Sequence, residues 1–170
     1  IHPLPGVGEN YQEHYVTRLS WELKDCVTLN QSTRGWRQVV EAVKFGLTRR
    51  GVLTLSPSLA VAFVKTQPEV ETPDVQFTMV HASFSDPVKR ILDREPGLTI
   101  APCQLRPQSR GSIHAASPDP RADPAIRPNF LAEEADRRTL ADGMKAARRV
   151  LAENPLAAHV VRERRPGPEA

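Results

Sequence analysis

Sixteen prolines run through these 170 residues, and they fall between the periodic segments rather than inside them. Proline fixes φ and has no N–H to give a ladder, so it cuts a chain into short elements. Between the cuts, residues 14–23 (HYVTRLSWEL) alternate: Tyr15, Thr17, Leu19, Trp21 and Leu23 share one face, with Arg18 and Glu22 on the other. That pattern predicts a strand. Runs at 58–66, 74–82, 98–105 and 111–117 predict four more, with Ser109-Arg110-Gly111 as a hairpin connection between the last two. Two long helices are expected. The first covers about 34–50, capped by Ser32 or Thr33, with Trp36, Val39, Val40, Val43 and Leu47 on one stripe and Gly51 as its stop. The second covers about 132–152, with Leu140, Met144, Ala147 and Leu151 on one face. Asn154 is expected to cap a further short helix with Pro155 at its first position.

Connections that run mostly from strand to strand predict an α+β fold: a mostly antiparallel sheet with helices packed on one face. The other face must then be covered by something outside this chain, or must line a site.

Length fits one domain. Apolar residues make up 39% and charges are mixed, with a net charge of +3, so the composition is that of a globular protein. No basic face interleaved with aromatics is present, so nucleic acid is not an expected partner. No apolar run approaches a membrane span, and the start IHPLPGVGEN lacks the features of a signal peptide. Ile1 and the tail ERRPGPEA read as cut ends of a longer polypeptide. Cys26 and Cys103 stand apart, outside any paired motif, and read as reduced thiols of a cytoplasmic protein.

Catalytic signatures are missing. Gly6-Val7-Gly8 lacks the third glycine of a dinucleotide loop and precedes a strand instead of a helix. There is no nucleophile elbow, phosphate loop or HExxH. His2, His14, His81, His114 and His159 have no second ligand at metal spacing, so no metal is expected. Glu69, Glu71 and Asp74 read as a solvated turn.

Two segments carry a resemblance. LPGVGENYQEH at 4–14 resembles the LPGVGxNLxDH segment of the glucose–methanol–choline (GMC) family of flavin oxidoreductases. QLRPQSRGSIHAASPDPRADPAIRPNFL at 104–131 resembles that family's LxPxSRGxVxLxSxDPxxxPxIxxNYL, and the following helix, with Asp136 near its start and KAARRVL near its end, matches in place and kind. The resemblance implies that residues 1–14 end the connection from an FAD domain and that 15–170 form the substrate-binding domain. It implies FAD in the full-length protein, none in this portion alone, and the missing FAD domain as partner. The family's catalytic histidine motif follows a stretch like Pro166-Gly167. The chain ends before it, so no residue here is assigned as catalytic base.

By the same resemblance, Asn10 is expected to contact the cofactor, and Leu59, Val61, Phe63, Gln76 and Thr78 to line the substrate site. Choline-handling members carry E-A-G-G-F where this chain has Leu59-Ala60-Val61-Ala62-Phe63, and some carry a histidine where Thr78 follows Pro73-Asp74. A leucine offers a cation nothing, so the implied substrate is a neutral primary alcohol, aliphatic or aromatic, oxidised at its CH–OH group by hydride transfer to flavin. The uncovered face is also expected to favour self-association. Two alternatives stay open. In the first, the five residues are core beneath the helices; in the second, the chain is a stand-alone small-ligand or protein-binding module on the same scaffold.

Overall fold

The first strand sits in the interior of the sheet. In the computed structural model, which describes residues 2–56 and 58–167, β1 (Leu19–Leu23) has β6 (Gly97–Gln104) on one side and β9 (Val160–Arg165) on the other. β3 (Val75–Val80) pairs with β6, and β2 (Ala60–Val64) forms the far edge, giving the order β2-β3-β6-β1-β9. Every neighbouring pair is antiparallel. The long helix α3 (Glu134–Ala152) packs across one face. The α+β architecture therefore stands.

Side-chain alternation builds the core. Leu19 and Trp21 of β1, Val75 and Phe77 of β3, and Ile100 of β6 turn toward α3 and meet Ala146, Ala147 and Leu151. Gly143 lets the helix come close: a Cβ there would sit 3.3–3.4 Å from the Val75 methyls.

Several expectations are corrected. The strand read over 14–23 is regular only from Leu19. The cause is Pro102, which lies inside β6 and not between elements. Thr17 N donates to the Pro102 carbonyl at 3.1 Å. In a strand the N–H and C=O of one residue point to the same side, so the missing donor of Pro102 also faces residue 17 and no return bond forms. Upstream of that gap β6 keeps an isolated bridge between Val16 and Cys103, with Gln104 N donating to the Tyr15 carbonyl at 3.4 Å.

Ser109-Arg110-Gly111 makes no hairpin with β6. The chain leaves the sheet there, and β7 (Ser112–His114) pairs instead with β8 (Ala125–Arg127). A second small pair, β4 (Phe84–Asp86) with β5 (Ile91–Leu92), was not expected at all.

Ser32 and Thr33 do not cap the first long helix. They finish a short helix α1 (Leu29–Ser32), where the Thr33 hydroxyl donates back to the Leu29 carbonyl at 2.7 Å. The long helix α2 (Gly35–Thr48) begins after Arg34 and ends at Arg49, whose φ of 55° closes it before Gly51 is reached. It packs mainly on α1 and on the 3₁₀ turn Val52–Thr54 and buries none of its residues, so α3 supplies the core-facing helix. Pro155, rather than Asn154, precedes a 3₁₀ turn over Leu156–His159, which leads directly into β9.

Candidate functional site

The sheet face away from α3 carries the candidate substrate residues. Val61 stands opposite Thr78 and Phe63 opposite Gln76, and Leu59 N donates to the Met79 carbonyl at 2.9 Å. The rows continue onto β6, from Thr78 to Ala101 and from Gln76 to Cys103. Leu59, Val61 and Phe63 are 48%, 50% and 59% exposed, whereas the alternating Ala62 and Val64 turn to the core. Gln76, Thr78 and Val80 are half-buried, and Ala101 and Cys103 are buried. All five candidates thus lie on one face, and none belongs to the core under α3. The polar pair on it is internally bonded: Gln76 Nε2 donates to Thr78 Oγ1 at 3.3 Å. In that bond Thr78 accepts, so its hydroxyl hydrogen and the Gln76 carbonyl oxygen take no part in it.

Asn10 lies elsewhere. The two motif segments meet in a separate platform, where Tyr11 and Gly111 exchange backbone hydrogen bonds of 2.9 and 2.8 Å and Ile113 N donates to the Gly8 carbonyl at 2.8 Å. Glycine is required at both contacts. A Cβ on Gly8, whose φ is +87°, would sit 2.1 Å from the Ile113 oxygen, and one on Gly111 would sit 2.1 Å from the Arg127 oxygen. Asn10 follows with a φ of 57°. It lines an open groove of about 520 Å³ with Arg110, Ser112, Arg127 and Asn129, and none of the five sheet residues lines that groove.

The platform is fastened to α3 by Asp136, which the sequence marks only as a residue near a helix start. Its carboxylate is 1% exposed. It accepts from Gln104 Nε2 at 2.7 Å, Gln108 N at 2.8 Å, Ser109 N at 2.7 Å and the Ser109 hydroxyl. Burial pushes the carboxyl up, but the bonds from Ser109, Gln108 and Gln104 outweigh it and hold the group below the usual aspartate value.

Three of the five histidines have protein partners, whereas the buried Nδ1 of His81 has none among the described residues. His14 Nε2 is 3.1 Å from the Leu105 oxygen, His114 Nε2 is 2.9 Å from Glu9, and His159 Nδ1 is 3.1 Å from the Lys24 oxygen. Among the described residues, no group of His, Cys, Asp and Glu is placed to hold a metal ion. Asp74 does not act as part of an acidic pair; it accepts from Thr66 N at 2.8 Å and from the Thr66 hydroxyl. Cys103, at the end of the Gln76 row, was read only as a spare thiol, and nothing in its local sequence marks its place on this face.

Known proteins bear on this arrangement. Residues 107–170 match the family model described as GMC oxidoreductase. Over 99% of its length the chain is 32% identical to an alcohol dehydrogenase [acceptor] of Pseudomonas putida, of which it spans 30%. Over 98% it is 31% identical to an oxygen-dependent choline dehydrogenase of Pseudomonas entomophila (strain L48), of which it spans 29%. The fold matches that of formate oxidase from Aspergillus oryzae RIB40 with a TM-score of 0.79 at 18% identity, covering 93% of this chain and 32% of that one. It also matches pyridoxine 4-oxidase from Mesorbium loti with a TM-score of 0.70 at 20% identity, covering 96% and 28%. The chain therefore spans about a third or less of the proteins it matches, and within that span motif, fold and relatives agree: it belongs to the GMC oxidoreductase family.

Proposed function

We propose that this chain is the substrate-facing part of an FAD-dependent alcohol dehydrogenase that oxidises the CH–OH group of a neutral primary alcohol. The observation that carries the reading is the β2–β3 face, which is apolar at Leu59, Val61, Phe63 and Val80 and polar at Gln76 and Thr78. An alcohol oxygen both donates and accepts a hydrogen bond. The Thr78 hydroxyl and the Gln76 carbonyl oxygen offer the two complementary groups side by side. Gln76 also orients the hydroxyl by donating to it. The surrounding hydrocarbon excludes water and holds an aliphatic or aromatic chain.

Val61, Thr78 and Ala101 stand in one row across β2, β3 and β6, and their short side chains support setting the family's cofactor against this face. FAD, when bound, supplies the hydride acceptor. Asn10 is the residue of this chain we assign to the cofactor, in the groove with Arg110 and Arg127. No residue of this chain is assigned as the base that takes the hydroxyl proton.

Relatives that act on choline and relatives that act on alcohols both match the chain. The β2–β3 face carries no carboxylate for an ammonium group, which favours the neutral alcohol. The test is Leu59→Glu in the full-length enzyme. It should raise kcat/KM for a cationic alcohol relative to an aliphatic one by about tenfold or more, since a carboxylate beside an ammonium is worth over 1 kcal/mol. A folded variant whose preference does not move would defeat the assignment.

A further inference from the structure

Among the described residues that are buried, Asp136 is the one that carries a formal charge. Taking a carboxylate out of water is costly unless bonds replace the lost hydration. All four of its donors are neutral groups: Gln104 Nε2, Gln108 N, Ser109 N and the Ser109 hydroxyl. A side chain needed only to fill space would be apolar here. What a carboxylate adds is acceptors alone, with room for about four bonds at once. Three of the four bonds fix two consecutive residues, Gln108 and Ser109. The Ser109 hydroxyl is doubly held, because its oxygen also accepts from Glu133 N at 3.1 Å.

This fixed turn runs straight into the groove that holds Asn10. Arg110 follows Ser109 at once, and its Nη1 closes back on the carbonyls of Pro107, Gln108 and Ser109 at 2.8, 2.9 and 3.1 Å. The Arg110 carbonyl accepts from Asn129 Nδ2 at 3.0 Å. Gly111 comes next and exchanges both backbone bonds with Tyr11, the neighbour of Asn10. Asn10 keeps its left-handed φ of 57°, a conformation that persists in a residue with a Cβ where the surroundings impose it. Asn10, Arg110, Gly111 and Asn129 all line the groove, and Asp136 does not.

We propose that Asp136 is a positioning residue for the cofactor: it pins Gln108 and Ser109 and thereby sets Arg110 and Asn10 in the arrangement that binds FAD. The inference rests on the assignment of Asn10 to the cofactor made above. Asp136 acts through the backbone, from Ser109 to Arg110 and Gly111 and across to Tyr11. The charge is needed because an asparagine, with an NH2 in place of one oxygen, cannot accept all four bonds.

The experiment is a double-mutant cycle in FAD affinity, on the full-length protein stripped of its flavin and retitrated, with flavin fluorescence as the readout. Asn10→Ala and Asp136→Asn should each weaken binding by about tenfold. The pair should lose little more than either alone, since each change spoils the same contact. Leu151→Ala, which opens the core at the far end of α3, should lower Tm and leave FAD affinity unchanged. If Asp136→Asn does not fold, Ser109→Ala takes its place in the cycle, removing one donor while both backbone N–H groups stay bonded. Losses that multiply to about a hundredfold in the pair would overturn the proposal, because Asp136 would then act independently of Asn10. A loss of affinity in Leu151→Ala equal to that in Asp136→Asn would also overturn it, because instability alone would account for the effect. If Asn10→Ala binds FAD as the wild type does, the assignment of Asn10 falls and this inference falls with it. If Asn10→Ala weakens binding and neither Asp136→Asn nor Ser109→Ala does, the inference falls alone.

Discussion

Asp136 holds four donors, two of them the backbone N–H groups of Gln108 and Ser109. Replacing it with asparagine keeps the shape and removes the charge. One carboxylate oxygen becomes an NH2 facing the donors it used to accept, so Asp136→Asn should cost about 2–4 kcal/mol, read as a loss of Tm. The pH dependence follows from the direction of the shift. The carboxyl is held below its ordinary value in the folded state. Its stabilisation is therefore complete above the unfolded value of about 4 and disappears as pH falls through the lower folded value. The Tm gap between wild type and Asp136→Asn should be constant from neutral pH down to about 5 and close below about 4. A gap that persists in acid would show that the charge is not the stabilising feature. Gly111→Ala tests the same platform from its other side. Its Cβ would sit 2.1 Å from the Arg127 oxygen, and backbone has to move, so a loss above about 2 kcal/mol is expected in a denaturant melt. The glycines of this platform were legible as motif letters. Their steric reason was not, because the atoms they make room for come from distant stretches of chain.

At the level of elements, what the sequence revealed depended on whether a segment carries its own period. β2, β3 and α3 alternate or repeat over several residues, and each was placed within a few residues of its observed ends. β9 reads VVRERR, a string of charges without a clean period, and it passed as tail. It is a strand because of what its charges meet. Arg164 lies 3.0 Å from each of Glu22, Asp93 and Glu95, and Arg148 of α3 holds Glu163 at 2.9 Å. Such partners cannot be read from local spacing. Charges also suit an edge strand, since they discourage pairing with another chain. Arg164→Met should leave Glu22 and Asp93 crowded without their shared cation. The cluster is partly exposed, so the expected cost is on the order of 1–2 kcal/mol. Hydrogen exchange should rise first at β9 and at the β1 amides paired with it, and uniform exchange across the sheet would contradict the assignment. α2 shows the opposite failure. Its period was plain, yet the period says only that one face is apolar, not what that face meets.

For the molecule as a whole, the sequence settled the class of fold, because strand-to-strand connections leave little but an antiparallel sheet with one face covered. It could not set the strand order, since pairing in space is decided by contacts far apart in the chain. The unpartnered β2–β3 face also limits what the chain does by itself. Gly6 and Gly8 form turns, with Val7 N on Leu4 and Glu9 N on Gly6, and do not open a helix. The isolated chain should therefore retain no flavin on purification. Absorbance in the flavin band at one equivalent per chain is the outcome that would refute this. The order β2-β3-β6-β1-β9 has a further consequence, for synthesis on the ribosome. β1 leaves the ribosome before either of its neighbours, since Trp21 finds Leu98 on one edge and Glu163 on the other. At roughly 5–20 residues per second, β1 waits on the order of ten seconds for its last neighbour. Through that interval a strand holding Leu19 and Trp21 has at least one bare edge. Nascent chains stalled just before Val160 should accordingly depend on chaperones, and those released with β9 complete should not.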